Sequence, residues 1–275
     1  MTTEQQFRTV TDTFIDLLRA NDFAAAGLCF APDGWYSHQD YDGTERQDEA
    51  RGPAAIAQLL SSVRGPRPWK PKIHTFIGLD DLCILEGDRY SDGEWTAMFV
   101  AALTVDDAGL ITSLIVYWVP ANGDPLPPSE AEDEVDSDLM KATLARYIAA
   151  MESSNFEDLR QILTDHAVYS HPAYDPEQDP TRADTVGRDA IIEMTRIGRG
   201  NRSWFHDTER FVTYRNRIFI LGVARDGEDG PTNYSYLGAG RFEPDGRLNR
   251  WIGYGSTPPA GASLSEPAAT ASASS

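Results

Sequence analysis

The sequence predicts two tandem copies of one α+β domain, and three observations carry that expectation. Trp35-Tyr36-Ser37-His38-Gln39-Asp40-Tyr41-Asp42 recurs as Val168-Tyr169-Ser170-His171-Pro172-Ala173-Tyr174-Asp175, with the two histidines 133 residues apart. Other landmarks recur at similar offsets: Asp22-Phe23 with Asn155-Phe156, His74 with His206, and Gly109 and Tyr117 with Gly246 and Tyr254. Within each copy, helical periodicity comes first and a run of β-rich segments follows, the layout of an α+β domain. A period of roughly 120–140 residues is too long for a solenoid unit and suits a whole domain.

In the first copy Phe7, Val10, Phe14, Leu17 and Leu18 fall on one helical face. A short second helix is expected over Asp22 to Leu28 and a short strand over Trp35–His38. Gly52-Pro53 opens a third helix that turns Ile56, Leu59, Leu60 and Val63 inward, since proline suits a first turn. Lys72–Leu79, Leu82–Gly87, Trp95–Val105 and Leu110–Val119 are rich in β-branched and aromatic residues and read as strands, the last two joined at Asp106-Asp107-Ala108-Gly109.

The second copy repeats the order. Met140 to Met151, Leu159–Leu163 and Gly187–Gly198 read as helices, with Ala167–His171 as the short strand. Ser203–Tyr214, Arg217–Ala224, Asn233–Phe242 and Leu248–Gly255 read as the long strands. The expected boundaries are a first domain at 1–121, an acidic Pro-rich linker at 122–137, a second domain at 138–256, and a disordered tail at 257–275 built from Pro, Ala, Ser and Gly.

The net charge is −19: −9 in residues 1–119, −6 in 120–136 and −4 in the remainder. Such a surface repels phosphate backbones and anionic membranes, so neither nucleic acid nor membrane is an expected partner. No apolar run approaches the ~18 residues of a membrane span. The N-terminus lacks the basic and apolar pattern of a secretory signal, and Cys29 and Cys83 are unmatched between the copies, so a reducing, cytoplasmic setting is expected.

The element order helix–helix–short strand–helix–four strands resembles the NTF2-like superfamily, especially its SnoaL-like branch, over roughly Phe7–Val119 and Leu139–Tyr254. The resemblance implies a bent, mostly antiparallel sheet wrapped round three helices as a cone with a closed apolar pocket. It also implies pairing of sheets, so that a tandem chain is a covalent pseudo-dimer. Lys72-Ile73-His74-Thr75-Phe76-Ile77-Gly78 resembles the histidine-bearing strand of the scytalone dehydratases, which implies acid–base roles for His74 and His206. The implied activity is a cofactor-free lyase, isomerase or cyclase acting on a small apolar carbonyl compound, polyketide-like or steroid-like. A hydrolase of the limonene-epoxide type is a lesser implied option and needs an Asp–Arg–Asp arrangement.

The residues support such chemistry independently of any relative. Histidine titrates near neutrality and passes a proton from carbon to oxygen. His74, His206, His38 and His171 are therefore the candidate bases, with Asp42 and Asp175 placed to orient a ring. Tyrosine hydroxyls hold an enolate oxygen in an apolar cavity; Tyr36, Tyr41, Tyr117, Tyr169, Tyr174 and Tyr254 are the candidates. His38/Asp42 and His171/Asp175 are too sparse for a metal site, so neither a metal nor a cofactor is expected. Two alternatives stay open. The histidines can serve packing or loop hydrogen bonds, and the cones can bind a small molecule without turning it over, with one copy a structural mate.

Overall fold

A computed structural model describes residues 3–39, 46–65, 70–120, 134–170, 184–199 and 204–265. The chain divides into two compact units, 119–255 forming the second and the segment from Ser256 returning to the first. No helix among the described residues is long and apolar enough to cross a membrane.

The first unit runs α1 (Thr3–Ala20), α2 (Phe23–Gly27), β1 (Phe30–Gln39), β2 (Gln47–Arg51), α3 (Pro53–Leu59), β3 (Lys70–Gly78), β4 (Cys83–Ser91), β5 (Glu94–Val105) and β6 (Ile111–Pro120), with a π-helical turn over Leu60–Arg64 after α3. The second runs α4 (Ser137–Ser153), α5 (Phe156–Ile162), β7 (Leu163–Ser170), β8 (Asp184–Val186), α6 (Arg188–Arg199), β9 (Trp204–Tyr214), β10 (Arg217–Asp226), β11 (Thr232–Phe242) and β12 (Leu248–Ser256). Each sheet has six strands, in the orders β2-β1-β6-β5-β4-β3 and β8-β7-β12-β11-β10-β9. β1 runs parallel to β6 and β7 parallel to β12, so both sheets are mixed.

Several repeated strings turn out to be the devices that make the helices. Asp22 caps α2 by accepting from Ala25 N at 3.0 Å, and Asn155 caps α5 by accepting from Asp158 N at 3.2 Å. The residues before them, Asn21 and Ser154, are both left-handed, which ends the preceding helix. Asp136 caps α4 through Leu139 N at 2.8 Å. Each unit closes its own core: Phe7, Phe14, Phe30 and Ile56 with Leu85 and Leu103 in the first, and Leu144, Leu159 and Ile191 with Ile218, Ile220 and Trp251 in the second.

Two edge strands, β2 and β8, were not expected, because Gln47-Asp48-Glu49-Ala50-Arg51 is too polar and Asp184–Val186 too short to read as strand. The tail expected to be disordered from 257 is ordered as far as Ser265. It ends in the short helix α7 (Ala262–Ser265), and Gly261 N donates to Glu49 on β2.

Candidate active site

The first unit holds a cavity of about 90 Å³ between α1 and the inner face of its sheet. Strand alternation chooses its walls. On β4 the inward residues are Leu85, Gly87 and Arg89; on β5 they are Ala97, Phe99 and Ala101; on β6 they are Leu114, Val116 and Trp118. On β1 they are Tyr36 and His38, paired in register with Leu114 and Val116.

His38 is 8% exposed. Its Nδ1 sits in a short contact with the Gln39 carbonyl. A carbonyl only accepts, so Nδ1 carries a proton and Nε2 is the nitrogen left to act as a base. The Tyr36 ring lies 6.0 Å from the imidazole, centroid to centroid. Across the β1–β2 ladder His38 faces Asp48, and the two share a narrow hollow with the buried Arg64. Asp48 thus lies beside His38 on the same face of the sheet.

Arg89 is the one permanently charged side chain in the cavity lining among the described residues. Its guanidinium lies over the Trp118 ring at 4.6 Å, and its Nε donates to Thr96 Oγ1 at 3.2 Å. Trp118 is pinned in turn, its indole N–H donating to the Gln39 carbonyl at 3.1 Å. On the helix side Thr11 is 3% exposed, and its hydroxyl has no hydrogen-bond partner among the described residues.

His74 was a candidate base, and its place in the structure corrects that reading. It stands at a bulge between Ile73 and Thr75 and binds Asp88 Oδ2 through Nε2 at 2.7 Å. Asp88 alternates with the inward Gly87 and Arg89, so this pair lies on the opposite face of the sheet from the cavity. Burial pushes the Asp88 carboxyl up, but the hydrogen bond and charge of His74, helped by Trp95 and Lys72, bring it below its ordinary value. Tyr117 and Tyr254 are also corrected: both are buried, and neither faces inward, because Tyr117 alternates with Val116 and Trp118 and Tyr254 holds the equivalent place on β12. Tyr41, Asp42, His171, Tyr174 and Asp175 lie outside the described residues.

In the second unit, larger side chains stand at several of the equivalent positions among the described residues. Tyr169, at the place of Tyr36, packs in the core in register with Trp251. Tyr147 and Trp251 meet at 5.5 Å between centroids. Tyr234 and Tyr236 stand where the first unit has Ala97 and Phe99, and Ala224 stands where it has Arg89. His206 does face inward, in register with Ala224. Its ring meets Tyr236 edge-on at 5.6 Å, and Glu152 of α4 accepts from His206 N at 2.7 Å and lies 3.2 Å from Nδ1. Burial drives the Tyr236 phenol up to about 12; the hydrogen bond with Thr208 opposes this, and the charges of Glu152, Asp207 and Glu209 add to it. Among the described residues no three His, Cys, Asp or Glu side chains gather as a metal site requires.

Sequence reasoning missed Arg89, Asp48, Thr11 and Glu152. The signal for Arg89 was present: it continues the inward alternation Leu85, Gly87, and was lost when Asp88 and Arg89 were taken to end the strand.

No family model matches the chain, and no curated protein matches it in sequence. Among solved structures it is similar to an NTF2-like protein of unknown function from Burkholderia pseudomallei, at 18% identity, covering 42% of this chain and 88% of that one, with a TM-score of 0.36. A candidate SnoaL-like polyketide cyclase from Shewanella denitrificans is 12% identical, covering 42% and 90%, at 0.35. A candidate isomerase of the SnoaL-like family from Agrobacterium tumefaciens is 13% identical, covering 42% and 96%, also at 0.35. Each match covers about 42% of the chain. The two units repeat one order of helices and strands and one strand order in the sheet.

Proposed function

We propose that the first cone is the working one and that it performs cofactor-free acid–base chemistry on a small, mostly apolar carbonyl compound. The observation that carries this reading is a buried imidazole, His38, in the wall of an apolar cavity with its basic nitrogen defined by the Gln39 carbonyl. His38 removes a proton from the carbon next to the carbonyl. The oxygen that gains charge accepts a hydrogen bond from Tyr36, in surroundings where such a bond is stronger than in water. Return of the proton to another carbon is isomerisation; its return to a departing hydroxyl is dehydration; attack of the enolate on a second carbonyl is cyclisation. All three share the first step. The larger side chains at the equivalent positions of the second unit support a structural role for that copy.

An epoxide-hydrolase reading is not favoured, since among the described residues the cavity lining contains Arg89 but no carboxylate. The shared first step is directly measurable: small enolisable ketones and oxo acids are incubated with the protein in D2O, and loss of the α-proton signal is followed by NMR. The expected outcome is enzyme-dependent exchange that His38→Gln abolishes while the fold is retained. Exchange that persists in that variant removes His38 as the base, and a chain that binds but never exchanges is a binding module.

A further inference from the structure

We infer that the ligand of the first cone is a small carboxylic acid whose carboxylate is held by Arg89 against Trp118. The inference rests on the reading of that cone as the working site, and concerns what it takes.

The first support is that Arg89 is not a requirement of the fold. The second copy builds the same three-strand arrangement, with Ala224 between His206 and Tyr234, where the first has Arg89 between Pro71 and Ala97. A guanidinium placed in an otherwise apolar wall, at a position where alanine serves the sheet equally well, needs another reason. The second is its geometry. Trp118 sets the plane of the group from one side and Thr96 ties down Nε, so the donors are held in a fixed orientation; a planar, rigid fork suits a carboxylate, which accepts two parallel hydrogen bonds. The third is electrostatic. With a net charge of −19 the surface repels anions at long range, and Arg89 reverses that sign locally inside the cavity.

Size limits the rest of the molecule. The cavity, at about 90 Å³, is on the scale of one small ring, with the carboxylate placed at Arg89 on its wall. A single ring or a short branched chain fits, and a fused polycycle does not. The Thr11 hydroxyl, buried in the wall and lacking a partner among the described residues, is placed for one further oxygen on the ligand. Trp118 lies two residues along β6 from Val116, the register partner of His38, so the carboxylate end and the reacting carbon are neighbours. A small oxo acid satisfies all of these constraints.

The test is isothermal titration of the full chain with benzoate and with benzamide, which share shape and differ in charge. The expected result is benzoate binding at least about tenfold tighter than benzamide, a difference of ~1.4 kcal/mol. Arg89→Gln should lower benzoate affinity by that factor and leave benzamide within about twofold; Arg89→Lys, which keeps the charge without the fork, should fall between. Circular dichroism melts confirm that the variants fold. Equal affinity for the two probes, a preference for benzoate that survives Arg89→Gln, or no binding of either at millimolar concentration overturns the inference. His38→Gln keeps these outcomes separate from the catalytic reading: it should abolish deuterium exchange while leaving the benzoate preference intact.

Discussion

His206 stands in the second sheet where Pro71 stands in the first, and not where His74 stands. The glycines establish this register. A Cβ on Gly87 would strike Lys72 O and the Phe99 ring, and one on Gly222 would strike Asp207 O and the Tyr236 ring. Lys72 therefore corresponds to Asp207 and Phe99 to Tyr236, which places Pro71 opposite Arg89 as His206 is opposite Ala224. Both sheets carry a bulge at the next step, and the residue it adds is His74 in one and Glu209 in the other. Two histidines that look matched along the chain thus point to opposite faces.

The first consequence concerns His74. Because its partner is Asp88 on the face away from the cavity, His74→Ala should lower stability by about 1–3 kcal/mol through the uncompensated buried carboxylate, with deuterium exchange unchanged. Asp88 also sets a pH dependence. Its folded-state pKa is depressed, so the native state gains stability above the ordinary carboxylate range, and that gain is lost as pH falls through the folded value. Urea unfolding should show wild type more stable than Asp88→Asn at pH 7, with the gap narrowing below about pH 4. A gap that stays constant down to pH 2.5 would show that Asp88 is not held by charge.

His206 is tied to Glu152, which takes both the β9 amide and the ring nitrogen. Glu152→Ala leaves that amide without its acceptor and should destabilise by about 1–3 kcal/mol. Benzoate affinity should not move, because the ligand is in the other cone. Titration and thermal melts on one preparation decide this, and a parallel loss of binding would bring the second interior into the function.

The duplication, the order of elements and eight long strands were legible because local signals agree: caps at Asp22 and Asn155, apolar periodicity in α1 and α4, and turns at Gly109 and Gly246. Tyr36 and His38, candidates because they fall in a repeated string, line the cavity from β1. What was not legible depends on register. A bulge shifts alternation by one residue, so identity at an offset of 132 concealed that His74 and His206 differ in face. Polar strands hide as well: Asp48 sits on an edge strand of charged residues, and Arg89 lies past the point where Asp88 interrupts the apolar run.

A compensating exchange of size distinguishes the two interiors. The first pairs small Ala97 with large Trp118; the second pairs large Tyr234 with Gly255, where even a Cβ would strike the Tyr234 ring. Gly255→Ala alone should cost about 1–3 kcal/mol by overpacking. Adding Tyr234→Phe, which removes the hydroxyl nearest the new methyl, should recover part of that loss. A double-mutant cycle by urea unfolding measures the coupling, expected at 0.5 kcal/mol or more as is usual for residues in contact, that is ~0.5–3. Strict additivity would mean that the two positions do not share space.

The chain's return to the first unit gives a final expectation. β2 is an edge strand, and an uncovered edge is easily frayed. The returning segment lies along it: Gly261 N donates to Glu49, and α7 follows immediately. Glu49 also accepts from Ser37 Oγ at 2.9 Å, so one carboxylate joins the tail, β2 and β1. Asp48, the next residue, faces His38. Truncation after Ser256 should therefore act twice. It should lower the unfolding free energy by about 1 kcal/mol, the value of one lost hydrogen bond of this kind. It should also slow exchange at saturating substrate with benzoate affinity unchanged, because a loosened β2 disturbs the strand paired with that of the base and not the Arg89 clamp. Amide hydrogen exchange would register the same event as faster exchange confined to β2 and the adjoining residues of β1. If the truncated chain shows neither faster exchange there nor slower turnover, the tail contributes nothing to holding His38.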